Sequence, residues 1–345
     1  MKINGRQIGA GAPVYIIAEM SANHGQDFEQ AVRIIEAAAA AGADAVKLQT
    51  YTPDTLTINS DNDYFRIQGT LWDGRKLYDL YGDAYTPWEW QPKLKAAANA
   101  LGLDLFSSPF DPTAVAFLEA MNVPAYKIAS FELVDIGLIQ AVARTGKPTI
   151  LSTGMATLAE IDEAVTVFRA AGGGELALLK CNSAYPAPPE EMNLRTIPHL
   201  AEAFDVVVGL SDHTLGVEVP VAAVALGAAI IEKHFTLTRA EAGPDSAFSL
   251  EPGEFKAMVD AVRVVEKALG SVAYGFTPKE ANSRRLRRSL FITADVKAGE
   301  AFTPDNVRSV RPGDGLHTRH LDEVIGKRAR RDLERGTPLT WEMVE

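Results

Sequence analysis

Short runs rich in β-branched and other apolar residues alternate with segments of helical periodicity from the N-terminus to about Leu269, and this alternation confines the chain to parallel βα units. Strands are expected at Val14–Ala18, Ala45–Gln49, Asp104–Ser107, Ala125–Ala129, Thr149–Ser152, Leu176–Cys181, Val206–Leu210 and Ala229–His234. Apolar residues at helical spacing mark Phe28–Ala41, Trp88–Leu101, Leu158–Ala171, Val217–Leu226 and Pro252–Leu269. Eight strands in this pattern predict an α/β fold of the (β/α)8 TIM-barrel type.

Each expected strand ends in polar residues. The endings are Glu19, Lys47 with Gln49, Ser107-Ser108, Lys127 with Ser130, Ser152-Thr153, Cys181-Asn182-Ser183, Ser211-Asp212-His213, and Glu232 with His234. A barrel carries its reactive groups at the C-terminal strand ends, whereas a doubly wound open sheet gathers them at one switch point, so the distribution favours the barrel. The segment Tyr51–Tyr85 is too long for an ordinary βα connection and is expected to cap the barrel mouth. Its aromatic residues and those that follow, Phe65, Trp72, Tyr78, Tyr81, Trp88 and Trp90, suit either sugar stacking or a local mini-core. Gly172-Gly173-Gly174 precedes a strand and reads as a helix end and turn, not a phosphate cradle. Residues 1–275 are thus expected to form the barrel, 276–288 a linker with a solvated basic run, and 289–345 a small β-rich domain with Gly-Glu, Pro-Gly and Gly-Thr-Pro turns.

A formal net charge of -11 argues against nonspecific binding to nucleic acid or to an anionic membrane surface. No apolar stretch approaches the roughly 20 residues of a membrane span, and Ile16 and Ile17 belong to a short apolar run ending in Glu19, not to a signal peptide. The single cysteine, Cys181, excludes an internal disulfide framework and fits a reducing compartment. The expected location is the cytoplasm.

Lys47 and Lys127 stand inside otherwise apolar runs, and a lysine so placed faces a ligand or a carboxylate. With Ser108, Ser130, Ser152, Ser183 and Ser211 they form a site for a small polyanion bearing phosphate and carboxylate groups. A structural ion pair with Glu19 or Glu132 is the alternative for either lysine, and a Schiff base is another. His213 and His234 lie at the ends of strands that are neighbours in a barrel, with Glu232 two residues before His234. With Glu19, Glu232 and Asp245 nearby, the imidazoles point to a divalent metal whose other ligands are water or substrate. A single strand histidine is more often structural, and His24, His199, His317 and His320 lack comparable neighbours.

The motifs IIAEMSANHG, AGADAVKLQTYTPDTLT, LWDGRKLYDLY, TPWEW, SSPFD, YKIASFEL, LSTGMAT, LKCNSAYP, VGLSDHT, ALGAAIIEKHFT and DSAFSL together resemble the sialic acid synthase family, closest to its pseudaminic acid branch. The tail, DVKAGEAFTPDNVRSVRPGDGL with IGKRARRDL, resembles the antifreeze-like (SAF) domain that follows the barrel in that family. The resemblance implies condensation of phosphoenolpyruvate with an acylamino-hexose, 2,4-diacetamido-2,4,6-trideoxy-L-altrose for the pseudaminic branch. It implies that Lys47, Lys127, Ser108, Ser130, Ser152 and Ser211 hold phosphoenolpyruvate, and that His213 and His234 bind Mn2+ or Mg2+. Glu19, Gln49, Tyr185 and Asp245 are implied to face the sugar, with Arg311 of the tail reaching over its acylamino group in a domain-swapped homodimer. Glu132, Ser183 and Glu232 complete the expected substrate contacts. Serine at 183 and 246, where the sialic acid branch carries asparagine and histidine, favours the pseudaminic branch over N-acetylneuraminate or legionaminate synthesis. A Schiff-base lyase and a non-catalytic carbohydrate-binding protein are the rivals of other classes.

Overall fold

All eight expected strands form in the computed structural model, which describes residues 1–241 and 243–345. They are β1 (Tyr15–Glu19), β2 (Ala45–Thr50), β3 (Asp104–Pro109), β4 (Tyr126–Ile128), β5 (Thr149–Ser152), β6 (Leu176–Cys181), β7 (Val207–Asp212) and β8 (Ile230–His234). They pair in parallel, in sequence order, and β8 pairs back onto β1 to close the barrel. Nearly every strand residue is buried, as expected where side chains on one face fill the barrel and those on the other meet helices. Each strand is followed by a helix: α1 (Phe28–Ala41), α2 (Gln91–Ala100), α3 (Pro112–Ala120), α4 (Ile136–Ala143), α5 (Leu158–Ala170), α6 (Thr196–Phe204), α7 (Glu218–Ala225) and α8 (Pro252–Leu269).

Local chemistry sets the helix limits. Asp27 accepts hydrogen bonds from the Glu29 and Gln30 amides at the start of α1, and Gly42 closes that helix in the left-handed region. Asp111 caps α3 with Pro112 at its first position, and Thr157 and Glu160 form a reciprocal capping box on α5. Several strands run further than their apolar residues suggest: β1 includes Glu19, β3 Ser108 and Pro109, and β7 Ser211 and Asp212. The extension has a physical cause, because these side chains find partners on neighbouring strands (Glu19 with Lys47, Asp212 with Lys233) and the ladder continues through them. The α3, α4 and α6 helices, eight or nine residues each, are too short for a clear periodic signal.

The chain divides into two compact units, Met1–Gly270 and Ser271–Glu345. In the second unit β9 (Ser289–Ile292) pairs antiparallel with β10 (Val307–Val310), over a core that includes Leu290, Ile292, Val296, Phe302, Leu333 and Leu339. Residues 271–288, including the basic run, are exposed. Among the described residues, no helix is long and apolar enough to cross a membrane.

The wall of the barrel has no room for a side chain at Gly209 of β7, where an added Cβ would lie 2.3 Å from the Ile230 carbonyl oxygen and 2.6 Å from Leu179 Cδ2. Gly209→Ala is therefore expected to destabilise the barrel by about 1–3 kcal/mol through overpacking, read as a lower urea midpoint. An unchanged midpoint would show that the wall has slack there.

Candidate active site

The C-terminal ends of the strands open into a cavity of about 430 Å3. Its floor is ionic. Lys47 and Glu19 are register partners on β2 and β1, and the Lys47 ammonium lies 3.1 Å from Glu19 Oε2 and 3.2 Å from Glu232 Oε1. The Lys127 ammonium approaches the same Glu232 oxygen at 3.5 Å. Ser211 donates to Glu232 Oε1 at 3.1 Å, and Lys47 donates to Ser108 Oγ at 3.4 Å. The lysines are thus paired with carboxylates and also line the cavity, and their shared partner is Glu232, in place of the expected Glu132.

Burial alone would raise the Glu232 carboxyl, but Lys127 and Lys47 outweigh it and hold the group down at about 2. Glu19 is raised by burial, with Glu232 adding to the effect against the opposing pull of Lys47. Burial lowers Lys127 despite the attraction of Glu232, whereas Glu19 and Glu232 more than offset the burial of Lys47 and raise it. The floor therefore sets a depressed carboxyl, Glu232, beside a raised one, Glu19, and two lysines whose ammonium groups can also serve an anion.

The two imidazoles stand at the β7 and β8 ends with ring centroids 5.3 Å apart, framed by Tyr185, 4.3 Å from His213, and Phe248, 4.9 Å from His234. His213 Nδ1 lies 2.6 Å from the Asn182 carbonyl oxygen. A carbonyl only accepts, so Nδ1 carries a proton and Nε2 is the nitrogen left to ligate. His234 Nδ1 is buried with no hydrogen-bond partner, and burial, followed by the charge of His213, holds the ring well below the usual histidine range, in its neutral ligating form. Among the described residues no group of three or more His, Cys, Asp or Glu side chains is disposed to hold a metal. The donors fit an ion held by two imidazoles, with water and substrate as the remaining ligands.

Above the floor, Gln49 donates to Glu19 Oε1 and Ser21 Oγ, each at 2.9 Å, and Ser21 donates in turn to Asp245. Burial raises both Asp245 and Glu132, the latter to about 7. Ser130 Oγ accepts the Gly154 amide at 3.0 Å, and a Cβ on Gly154 would lie 2.3 Å from Ser183 Oγ. Ser152 Oγ, Glu132 Oε2 and Glu232 Oε2 join His234 Nδ1 as buried polar atoms without a partner. Four such atoms around one cavity, each costing about 1–3 kcal/mol when unpaired, mark it as built for a polar ligand.

The structure brings Glu19, Lys47, Gln49, Lys127, Ser130, Glu132, Ser152, Tyr185, Ser211, His213, Glu232, His234 and Asp245 to this cavity. Ser108 lies beneath it on Lys47, Ser183 stands behind Cys181 and Gly154, and Arg311 belongs to the second unit. The outer wall comes from the cap: Leu56, Ile67, Trp72, Leu77, Leu80 and Ala84 line it with Phe110 and Phe131. Trp72 hooks the cap down by donating its indole N–H to the Pro244 carbonyl at 3.0 Å. Of the aromatic residues noted in the sequence, Trp72 and Tyr81 reach the cavity, whereas Trp88 packs on Phe117 and Trp90 on Phe28 and His24. Ser21 and Cys181 also line the cavity and Phe248 packs on both imidazoles; in the sequence Ser21 is signalled only by its two-residue offset from Glu19, and Phe248 by nothing beyond the DSAFSL motif.

Residues 34–274 match the NeuB family. The chain belongs to the NeuB family. Residues 287–345 match the SAF domain. This NeuB-family chain is 50% identical to the pseudaminic acid synthase of Campylobacter jejuni subsp. jejuni serotype O:23/36, covering 94% of this chain and 95% of that one. It is 47% identical to the pseudaminic acid synthase of Helicobacter pylori (96% and 98% covered) and 35% identical to the N,N'-diacetyllegionaminic acid synthase of Legionella pneumophila (100% and 98% covered). Among solved structures, the N-acetylneuraminic acid synthetase of Leptospira borgpetersenii superposes with a TM-score of 0.74 at 33% identity, covering 82% of this chain and 94% of that one.

Glu132 yields a pH prediction. The folded state keeps its proton up to about pH 7, whereas an unfolded glutamate releases it near 4.5, so its contribution to stability is full below about 4.5 and is withdrawn as the pH rises toward 7. Glu132→Gln should gain stability relative to the native chain between about pH 5 and pH 8, measured as a widening difference in urea midpoint. A difference independent of pH would show that Glu132 titrates as an ordinary glutamate.

Proposed function

We propose that this chain condenses phosphoenolpyruvate with the open-chain aldehyde of an acylamino-hexose, and with water, to give a nonulosonic acid of the pseudaminic type and inorganic phosphate. The observation that carries the reaction class is the floor, where two buried ammonium groups flank one carboxylate directly beneath a pair of imidazoles. The choice of sugar is supported by the 50% identity to a pseudaminic acid synthase and by the apolar outer wall, which suits the deoxy methyl and acetamido methyl groups of 2,4-diacetamido-2,4,6-trideoxy-L-altrose.

In this reading Lys47 and Lys127, with Ser130, Ser152 and Ser211, bind the phosphate and carboxylate of phosphoenolpyruvate, and Ser108 holds Lys47 from below. A divalent ion, Mn2+ or Mg2+, held by His213 and His234 supplies Lewis-acid polarisation of the sugar aldehyde when bound. Glu19, whose carboxyl burial raises, is placed to pass a proton to the aldehyde oxygen as the methylene carbon of phosphoenolpyruvate forms the new C–C bond, and to recover one from the water that adds. The lysines hold the phosphate while water adds to the neighbouring oxocarbenium-like carbon and the C–O bond to phosphate breaks. Gln49, Glu132, Tyr185 and Asp245 orient the sugar, Ser183 backs the wall behind Cys181 instead of touching substrate, and Glu232 fixes both lysines.

The same reading places the chain in the cytoplasm and makes it a homodimer whose domains are 1–275 and 289–345, joined by 276–288 and exchanged between subunits. The matches ending at 274 and beginning at 287 support those limits. Arg311, in the second unit, is proposed to reach over the acylamino group in the partner's barrel, where its rigid fork suits an acyl carbonyl.

Phosphate release from phosphoenolpyruvate should be fastest with the altrose-type diacetamido sugar in a panel that includes N-acetylmannosamine and the legionaminate precursor, the product mass identifying a nine-carbon acid. Equal or faster turnover of N-acetylmannosamine would move the chain to another branch. Chelation should abolish turnover and Mn2+ restore it, while full activity after exhaustive metal removal refutes the role given to the histidines. Lys47→Ala or Lys127→Ala should lower kcat/KM for phosphoenolpyruvate by roughly 100-fold or more, about 3 kcal/mol, with the far-UV spectrum unchanged. A substrate adduct trapped on either lysine by borohydride would instead establish a Schiff-base lyase. Mixing Arg311→Ala with His213→Ala subunits should restore activity if the C-terminal unit acts across the dimer, and confirmed exchange without activity would refute the swap.

A further inference from the structure

Behind the two histidines, on the helix-facing side of the barrel wall, lies a second ionic pair that the proposed reaction does not use. Lys233 and Asp212 are register partners on β8 and β7, one residue out of phase with Glu232 and Ser211, which face the cavity. The Lys233 ammonium lies 2.5 Å from Asp212 Oδ2, and both side chains are 0% exposed. The ammonium also donates to the Thr214 carbonyl oxygen. Asp212 accepts the Thr214 amide at 2.9 Å through Oδ1 and the Thr214 hydroxyl at 3.1 Å through Oδ2. His213 is thereby bracketed: the residues before and after it are fastened to each other, and both are fastened to the residue that precedes His234.

Stability does not account for this arrangement. Removing two charges from water costs as much as their attraction returns, and a well-packed apolar pair in the same space is often as stable or more so. What an apolar pair cannot do is receive the Thr214 amide and hydroxyl, or donate to its carbonyl, and those contacts shape the turn that carries His213. We propose that Lys233 and Asp212 are positioning residues for the paired imidazoles: Asp212 shapes the turn carrying His213, and Lys233 ties that turn to the strand end carrying His234. Together they set the 5.3 Å separation of the two rings. The inference rests on the reading of His213 and His234 as holders of a divalent ion, and it adds the outer contacts that orient them.

The test separates positioning from stability with Lys233→Met, Asp212→Asn and the double variant, each purified at full length. Each single change leaves a buried charge unpaired and should lower the urea midpoint, whereas the double variant, with neither charge, should recover it. Mn2+ binding is measured on the same proteins by the loss of the free-ion EPR signal, and phosphate release from phosphoenolpyruvate gives kcat and KM. The double variant is expected to bind Mn2+ about 10- to 100-fold more weakly and to lose kcat by a similar factor. Its KM for phosphoenolpyruvate should hold, because the Lys47 and Lys127 floor is untouched. Native Mn2+ affinity and kcat in the double variant would overturn the inference and leave the pair a packing element. Should the double variant fail to fold, Lys233→Arg retains the charge but replaces the compact ammonium with a fork. It is expected to fold with weakened Mn2+ binding, and unchanged binding would overturn the inference. A native chain that releases phosphate but binds no Mn2+ would refute the role given to the histidines, and the inference with it.

Discussion

The Glu232 carboxylate, shared by Lys47 and Lys127, is the interaction on which the rest of the site depends. The three side chains come from β8, β2 and β4, so a single oxygen of Glu232 ties distant parts of the wall across the lumen. Below this level the barrel is filled mainly by apolar side chains, with the Tyr15 hydroxyl donating to Asp104. At it, charges must be paired and the remaining polar atoms demand partners, so close apolar filling gives way to a cavity. Glu232 is held down because the two ammonium groups outweigh its burial, whereas burial, with the Glu232 charge added, pushes Glu19 up. One shared carboxylate thus separates the behaviour of the two acids on the floor.

The barrel was legible in the sequence because two signals coincide: apolar runs of strand length, and a polar residue at the end of each. Lys47 and Lys127 stood out for the same reason, as charges within apolar runs. Their partner did not, because pairing across a lumen depends on register and barrel closure. Glu19 and Glu132 were the nearer guesses in chain order, and only Glu19 contacts a floor lysine. The aromatic residues show the opposite failure. Trp88 and Trp90 share a short segment with no period to say which side they face, and they pack against α3 and α1. Trp72, in an equally irregular segment, reaches the cavity because its indole N–H finds a carbonyl on the loop after β8. Loop geometry of this kind is set by single hydrogen bonds, which leave no periodic trace in sequence.

The cavity has two chemical halves. Its inner half is charged and hydroxyl-lined and suits a compact polyanion, while its outer half is largely apolar and supplied by the cap. The division follows from the fold: strand ends are anchored on both sides and present short, fixed polar groups, whereas a long insertion can vary without disturbing the barrel. In the proposed reading, reaction class is carried by the strands and sugar choice by the cap.

The seam between β8 and β1 has a consequence for how the chain comes into being. Glu19 and His234 are opposed in register across that seam, one near the beginning of the barrel unit and the other near its end. During synthesis the seam cannot form until β8 has left the ribosome, so the earlier strands wait as an open sheet with an unsatisfied edge. The Glu232 links between the two lysines and the pairing of the imidazoles come into existence together, once β8 is in place. A barrel that lacks β8 has the Glu19–Lys47 pair of its first two strands, but neither the carboxylate that joins the two lysines nor the second imidazole.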